Sequence, residues 1–120
     1  MQIAQILIVA LIALLHVYIL VLEMFFWTKP LGLRAFGQKL EQAQASAVLA
    51  ANQGLYNGFL AAGLIFGLLY PEPLAGKHIQ SFFLACILVA GLYGGFTANR
   101  RIIRIQAVPA AFALGLLWLV

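Results

Sequence analysis

Four apolar runs, each close to the length that crosses a lipid bilayer, take up most of this chain of 120 residues, and that pattern limits the fold before any single residue does. The hydrocarbon core of a bilayer is about 30 Å thick, so a spanning helix needs about 20 mostly apolar residues. The runs predict helices at about 3–27, 46–70, 79–97 and 105–120. Hydrophobic residues make up 65% of the chain, charged residues 8%, and the mean hydropathy is +1.05. A soluble domain of this size has no core large enough to hide so much apolar surface. The expectation is therefore an all-α, integral membrane four-helix bundle forming a single transmembrane domain over residues 1–120.

The first run lacks a basic start and exceeds the 7–15-residue apolar core of a secretory signal, so it is expected to remain as a helix. The breaks between runs are chemically legible. Lys29, Pro30 and Gly32 end the first, Pro71, Glu72, Pro73 and Gly76 make a tight turn after the second, and Arg100, Arg101 and Arg104 mark the end of the third. Cys86 is the only cysteine. It has no disulfide partner and no metal-ligand spacing around it, and it is expected to be a small buried thiol. No metal or cofactor is called for.

Basic residues in short loops stay on the cytoplasmic side. The first connection carries Lys29, Arg34 and Lys39, and the third carries Arg100, Arg101 and Arg104, whereas the second carries Lys77 alone. Both termini are thus expected on the non-cytoplasmic side of a bacterial inner membrane, crossed several times. The net charge of +4 follows from this loop bias and suits anionic lipid headgroups. The bilayer is the partner it implies, and nucleic acid is not.

Polar side chains within the runs carry the functional argument, because such groups are costly against hydrocarbon and turn toward a partner or a cavity. At about 100° per residue, positions 5, 9, 12, 16, 20, 23 and 27 form one stripe, which places Gln5, His16, Glu23 and Trp27 on one helix face. His16 and Glu23 are about 10 Å apart along the axis, suited to lining one cavity. Asn52, Gln53, Tyr56 and Asn57 fall within an arc of about 140° at the start of the second run, and Tyr93, Thr97, Arg100 and Arg104 within about 60° at the end of the third. With the orientation above, Glu23, Trp27, Asn52, Gln53, Asn57, Tyr93, Thr97 and Arg100 share the cytoplasmic half, with His16 near mid-depth, and the outer half is almost wholly apolar. A pore would be polar along its length; a pocket open toward the cytoplasm fits better. Glu23 and His16 are the candidate acid–base groups. Trp27, Asn52, Gln53, Tyr56, Asn57, Tyr93, Thr97, Arg100 and Arg104 are the candidate ligand-binding residues, the arginines because a guanidinium suits an anionic group. No nucleophile stands beside a base in the sequence.

Three glycine pairs, Gly54 with Gly58, Gly63 with Gly67 and Gly91 with Gly95, have the spacing that lets membrane helices approach closely. The first two lie on nearly opposite faces of the second helix. Four helices in one chain cover one such face more readily than both, so a homo-oligomer, a trimer or a dimer, is expected.

His16 with Glu23, Met24 and Trp27, together with the run Ala50-Ala51-Asn52-Gln53-Gly54-Leu55-Tyr56-Asn57-Gly58-Phe59, resembles a family of small bacterial membrane proteins known as domain of unknown function 1304. The resemblance covers the whole chain and implies an inner-membrane location but no activity. The Asn-containing patch opening the second helix, with Tyr93, Arg100, Arg104 and Pro109, is also similar to the membrane-associated eicosanoid and glutathione metabolism superfamily. That resemblance implies a four-helix protein, typically a trimer, with a ligand site near the cytoplasmic helix ends. The second helix lacks the Arg and Glu that often flank the Asn there, which removes support for glutathione binding.

Three function classes fit these residues. A protein binding or converting a small amphiphilic or anionic molecule needs a pocket at Glu23, Asn57 and Tyr93. A small oligomeric transporter needs His16 and Glu23 to titrate during transport, and a partner-stabilising subunit needs only helix-tying polar groups and a larger protein that copurifies. Reporter fusions test the topology they share. A periplasmic reporter is expected to be silent when fused after Lys39 and active at the C-terminus, and the reverse result would overturn the orientation.

Overall fold

The computed structural model describes residues 2–119, and among them there are six α-helices, one π-helical segment and no strand. The helices are α1 (Gln2–Phe25), α2 (Pro30–Phe36), α3 (Leu40–Ala45), α4 (Ala47–Leu69), α5 (Pro73–Thr97) and α6 (Val108–Leu119), with the π-helical segment at Ile103–Ala107 leading into α6. Two of them are long and apolar enough to cross a membrane: α1 with a mean hydropathy of 2.7 and α5 with 1.8, each only 28% buried within the protein. Ile103–Leu119 is a shorter apolar helix, and the 23 residues of α4 include the polar cluster around Asn52 and Asn57.

The boundaries differ from the sequence expectation in three places, each for a local reason. The third long helix begins at Pro73 rather than near residue 79. Glu72 caps it, Oε2 accepting from the Ala75 N–H at 2.5 Å, and Pro73 occupies the first turn, where its missing N–H is not needed. Lys77, His78, Gln80 and Ser81 are therefore helical. The first connection is not an open loop but holds α2 and α3. Pro30 starts α2, and Gly37, in the left-handed region at φ 62°, ends it. The Lys39 N–H then donates to Gln42 Oε1 at 3.2 Å at the start of α3. Finally, the last helix is preceded by a π turn, in which the Val108 N–H reaches back to the Ile103 carbonyl. Pro109 follows at once, with no N–H to donate and a ring that crowds the carbonyl four residues back, and the wider turn accommodates it.

The described residues fall into two compact units. One is Leu14–Ala61, the Glu23 unit, built from the second half of α1, α2, α3 and most of α4. Its buried apolar residues include Leu22, Ala43, Ala50 and Ala61, and His16 is fully buried. Gly54 and Gly58 of α4 lie against α1: a Cβ at Gly54 would meet Met24 Cγ at 2.7 Å, and one at Gly58 would meet Leu20 Cδ1 at 2.6 Å. Gly32 is pressed against the Phe26 carbonyl, which leaves no room for a side chain where the chain folds back after α1.

The other, the α5 unit, comprises the remaining described residues, up to Ala13 and from Ala62 onward. Leu64, Leu84, Ile87, Ala110 and Ala113, each 0% exposed, form its core. Gly63 faces the Phe83 ring, and Gly67 approaches Gly76 so closely that a Cβ at Gly76 would meet the Gly67 carbonyl oxygen at 2.7 Å. Gly91 and Gly95 face the π-helical segment, at Ala107 and Ile103. Both glycine faces of α4 are thus covered inside one chain, by α1 and by α5, so the glycines no longer supply a reason for self-association. Cys86, expected to be buried, is half-buried, on an open apolar groove along α5.

Adding a methyl group at the tightest of these approaches should be felt. Gly91→Ala would place Cβ 2.6 Å from the Ala107 backbone nitrogen and is expected to cost about 1–3 kcal/mol, read as a lower thermal midpoint in mild detergent. Gly115→Ala, whose Cβ would have its nearest neighbour at 3.9 Å, should be neutral or gain up to about 1 kcal/mol in helix propensity.

Candidate functional site

The polar stripe predicted on α1 faces inward: Gln5, Glu23 and Trp27 are half-buried and His16 is buried. Within the Glu23 unit, the close approach of α4 to α1 at Gly54 puts the next turn of α4 beside Glu23. Asn57 Nδ2 donates to Glu23 Oε1 at 2.7 Å, a length in the range of strong hydrogen bonds. Oε2 accepts no hydrogen bond among the described residues. The carboxyl group thus has one oxygen fixed and one available. His16 is engaged within the protein and lies on the same helix face two turns earlier.

Trp27, at the end of the stripe, donates from Nε1 to Ser46 Oγ at 3.2 Å, and Ser46 in turn donates to the Gln42 carbonyl at 2.9 Å. Its ring packs on Phe36 with centroids 4.9 Å apart. This indole ties α2, α3 and the start of α4 to the end of α1. Ser46 and Phe36 were not among the sequence candidates. The signal for them lay in the helix-start and helix-stop residues Pro30, Gly37 and Gln42, which turn the connection into structure.

The remaining candidates on α4 do not join Glu23. Asn52 Nδ2 donates to the carbonyl of Val48, one turn earlier, at 2.9 Å. Asn52, Gln53 and Tyr56 are exposed, and Tyr56 packs on Phe59 with centroids 6.0 Å apart. The arc of about 140° is split because only one edge of a helix can meet one neighbour. In the α5 unit, Tyr93 is 72% exposed, Thr97 Oγ1 donates to the Tyr93 carbonyl at 2.7 Å, and Arg100 and Arg104 are exposed. Asn99 organises the turn beside them, with Oδ1 accepting from the Arg101 N–H at 2.9 Å.

Chemically, the Glu23–Asn57 pair offers a hydrogen-bond acceptor and an acid–base group in an apolar seam. Asn57→Ala removes the donor and leaves a half-buried carboxyl group without it, an expected loss of about 1–3 kcal/mol. Trp27→Phe keeps the ring but not the bond to Ser46, and should cost about 0.5–1.5 kcal/mol. Unfolding in mild detergent measures both, and a neutral Asn57→Ala would show that the pair does not hold the seam.

A Lactococcus lactis subsp. lactis (strain IL1403) protein, described as uncharacterized protein YpaA, is 35% identical over 116 residues, covering 95% of this chain and 96% of the relative. No solved structure matches. The model of the family described as protein of unknown function (DUF1304) matches residues 10–118, and the chain belongs to that family.

Proposed function

We propose that this chain is a multi-pass protein of the bacterial inner membrane that binds a small amphiphilic molecule at Glu23, in the cytoplasmic half of its helices. The membrane reading rests on the apolar side chains that α1 and α5 leave outward, among them Leu7, Leu11 and Leu14 on α1 and Phe82, Val89 and Phe96 on α5. Soluble monomers rarely expose contiguous apolar patches of that extent. α1, α4, α5 and the π–α6 segment are the four spans in this reading, with both termini on the non-cytoplasmic side and α2 and α3 in the basic cytoplasmic connection.

The observation that carries the ligand reading is the Glu23 carboxyl group itself. One oxygen is held by Asn57 at 2.7 Å, which fixes its direction, while the other is open to a ligand donor. A carboxyl group at a site favours a ligand with a hydroxyl, amine or other donor head over an anionic one, and the apolar seam around it favours an attached tail. His16, on the same face, is placed to exchange a proton with such a head through water. Gln53 and Tyr56 are exposed on α4 with no hydrogen bond among the described residues, a costly position in lipid, and a second copy of the chain is the partner we assign to that face.

Native mass spectrometry on the full chain, purified in mild detergent and exposed to a total membrane lipid extract, tests both points. Wild type is expected to retain a discrete set of compounds and to give the mass of a dimer or trimer. Glu23→Gln should keep the assembly mass and lose those compounds at least about tenfold, the effect of removing a hydrogen bond to a charged group. Equal retention by wild type and Glu23→Gln would remove Glu23 from the site, and a monomer mass with retention intact would remove the second copy.

A further inference from the structure

The sequence leaves the outer half of the helices looking almost wholly apolar, yet the α5 unit gathers polar groups there. The start of α1, the end of α4, the start of α5 and the end of α6 line an open groove of about 660 Å3. Gln5, Lys77 and Gln80 supply its main polar lining and Ile6, Leu74 and Leu117 its apolar wall. The walls are tied together. Gln5 Nε2 donates to the Leu116 carbonyl at 3.0 Å, joining α1 to α6, and Gln80 Nε2 donates to the Gly67 carbonyl at 3.2 Å, joining α5 to α4.

Lys77 is half-buried, and no carboxylate pairs with it among the described residues. Its Nζ lies 4.9 Å from the centroid of the Trp118 ring. That ring is itself held, with Nε1 donating to Ser81 Oγ at 2.7 Å and the His78 ring 5.4 Å away. An aromatic face attracts the ammonium but leaves its N–H groups free to donate. A partly desolvated cation without a counter-charge, at the mouth of a groove with apolar walls, is complementary to an anionic head on an apolar tail. The volume lies within the usual range of ligand sites, about 300–1,000 Å3, enough for a headgroup and the first part of a chain.

We propose that this groove is a second binding site, separate from Glu23, for the anionic headgroup of an amphiphile, a phosphate or a carboxylate, with Lys77 as its cation and the Ile6–Leu74–Leu117 wall receiving the start of the tail. The site needs neither Asn57 nor Glu23, so it stands or falls independently of the function proposed above.

The test uses the full chain in uncharged detergent and two matched pairs of probes: phosphatidylglycerol against phosphatidylcholine with the same acyl chains, and palmitate against hexadecanol, with bound probe read by native mass spectrometry. Wild type is expected to retain the anionic member of at least one pair about fivefold more strongly, the worth of one basic side chain near a lipid headgroup. Preference within the phospholipid pair alone identifies a lipid headgroup as ligand, and preference within the palmitate pair alone identifies a free acid. Lys77→Gln should bring the ratio close to one, Lys77→Arg should keep it, and Lys39→Gln, in the first connection, should leave it unchanged. Leu74→Trp, which fills the groove without altering charge, should reduce retention of the preferred probe. Equal retention within both pairs by wild type, a ratio preserved in Lys77→Gln, an equal loss in Lys39→Gln, or unaltered retention in Leu74→Trp would each overturn the site.

Discussion

Close approach of helix backbones at glycine is the constraint on which the rest of the structure depends. Three pairs spaced four residues apart serve three different neighbours: Gly54 and Gly58 meet α1, Gly63 and Gly67 meet α5, and Gly91 and Gly95 meet the π-helical segment. Where a Cβ would fall within 3 Å of a neighbour, the helices are near enough for short polar side chains to reach across. Asn57 reaches Glu23 because Gly54 has let α4 against α1, and Gln80 reaches the Gly67 carbonyl because Gly67 and Gly76 touch. In the membrane setting proposed above, packing of small residues and interhelical hydrogen bonds are the forces available, since burial of apolar area gains nothing between helices already in lipid.

Polar groups that find no such neighbour are satisfied locally. Asn52 and Thr97 each donate to a backbone carbonyl one helical turn earlier, at 2.9 and 2.7 Å. This local option lets a helix carry a polar residue on an outward face at small cost, and it explains why angular position alone overstates the size of a polar site. Glu23, by contrast, takes its hydrogen bond from another helix, from Asn57, as Gln5 and Trp27 of the same stripe bond to other elements.

The two polar regions differ in character. Around Glu23 the chain supplies a carboxyl oxygen, an amide and a buried imidazole, an acceptor-rich setting. In the α5 unit it supplies an ammonium, an indole and amide groups, a donor-rich setting. Ligands with opposite polarity of headgroup are complementary to the two.

The sequence by itself determined the all-α class, the two long apolar helices α1 and α5, the inward stripe of α1 and the family, because helix length, periodicity and residue identity are local properties. It also contained the signals for α2 and α3, in Pro30 and Gly37, and for the early start of α5, in Glu72 and Pro73, although apolar-run length alone places that boundary too late. Only the tertiary structure decided which of the polar residues on α4 meets Glu23, that both glycine faces of α4 are covered within one chain, and that Lys77 rests on Trp118 rather than in an open turn. Those outcomes depend on which helix lies against which face. That choice is set by the fit of side chains far apart in sequence, and no periodicity within one helix encodes it.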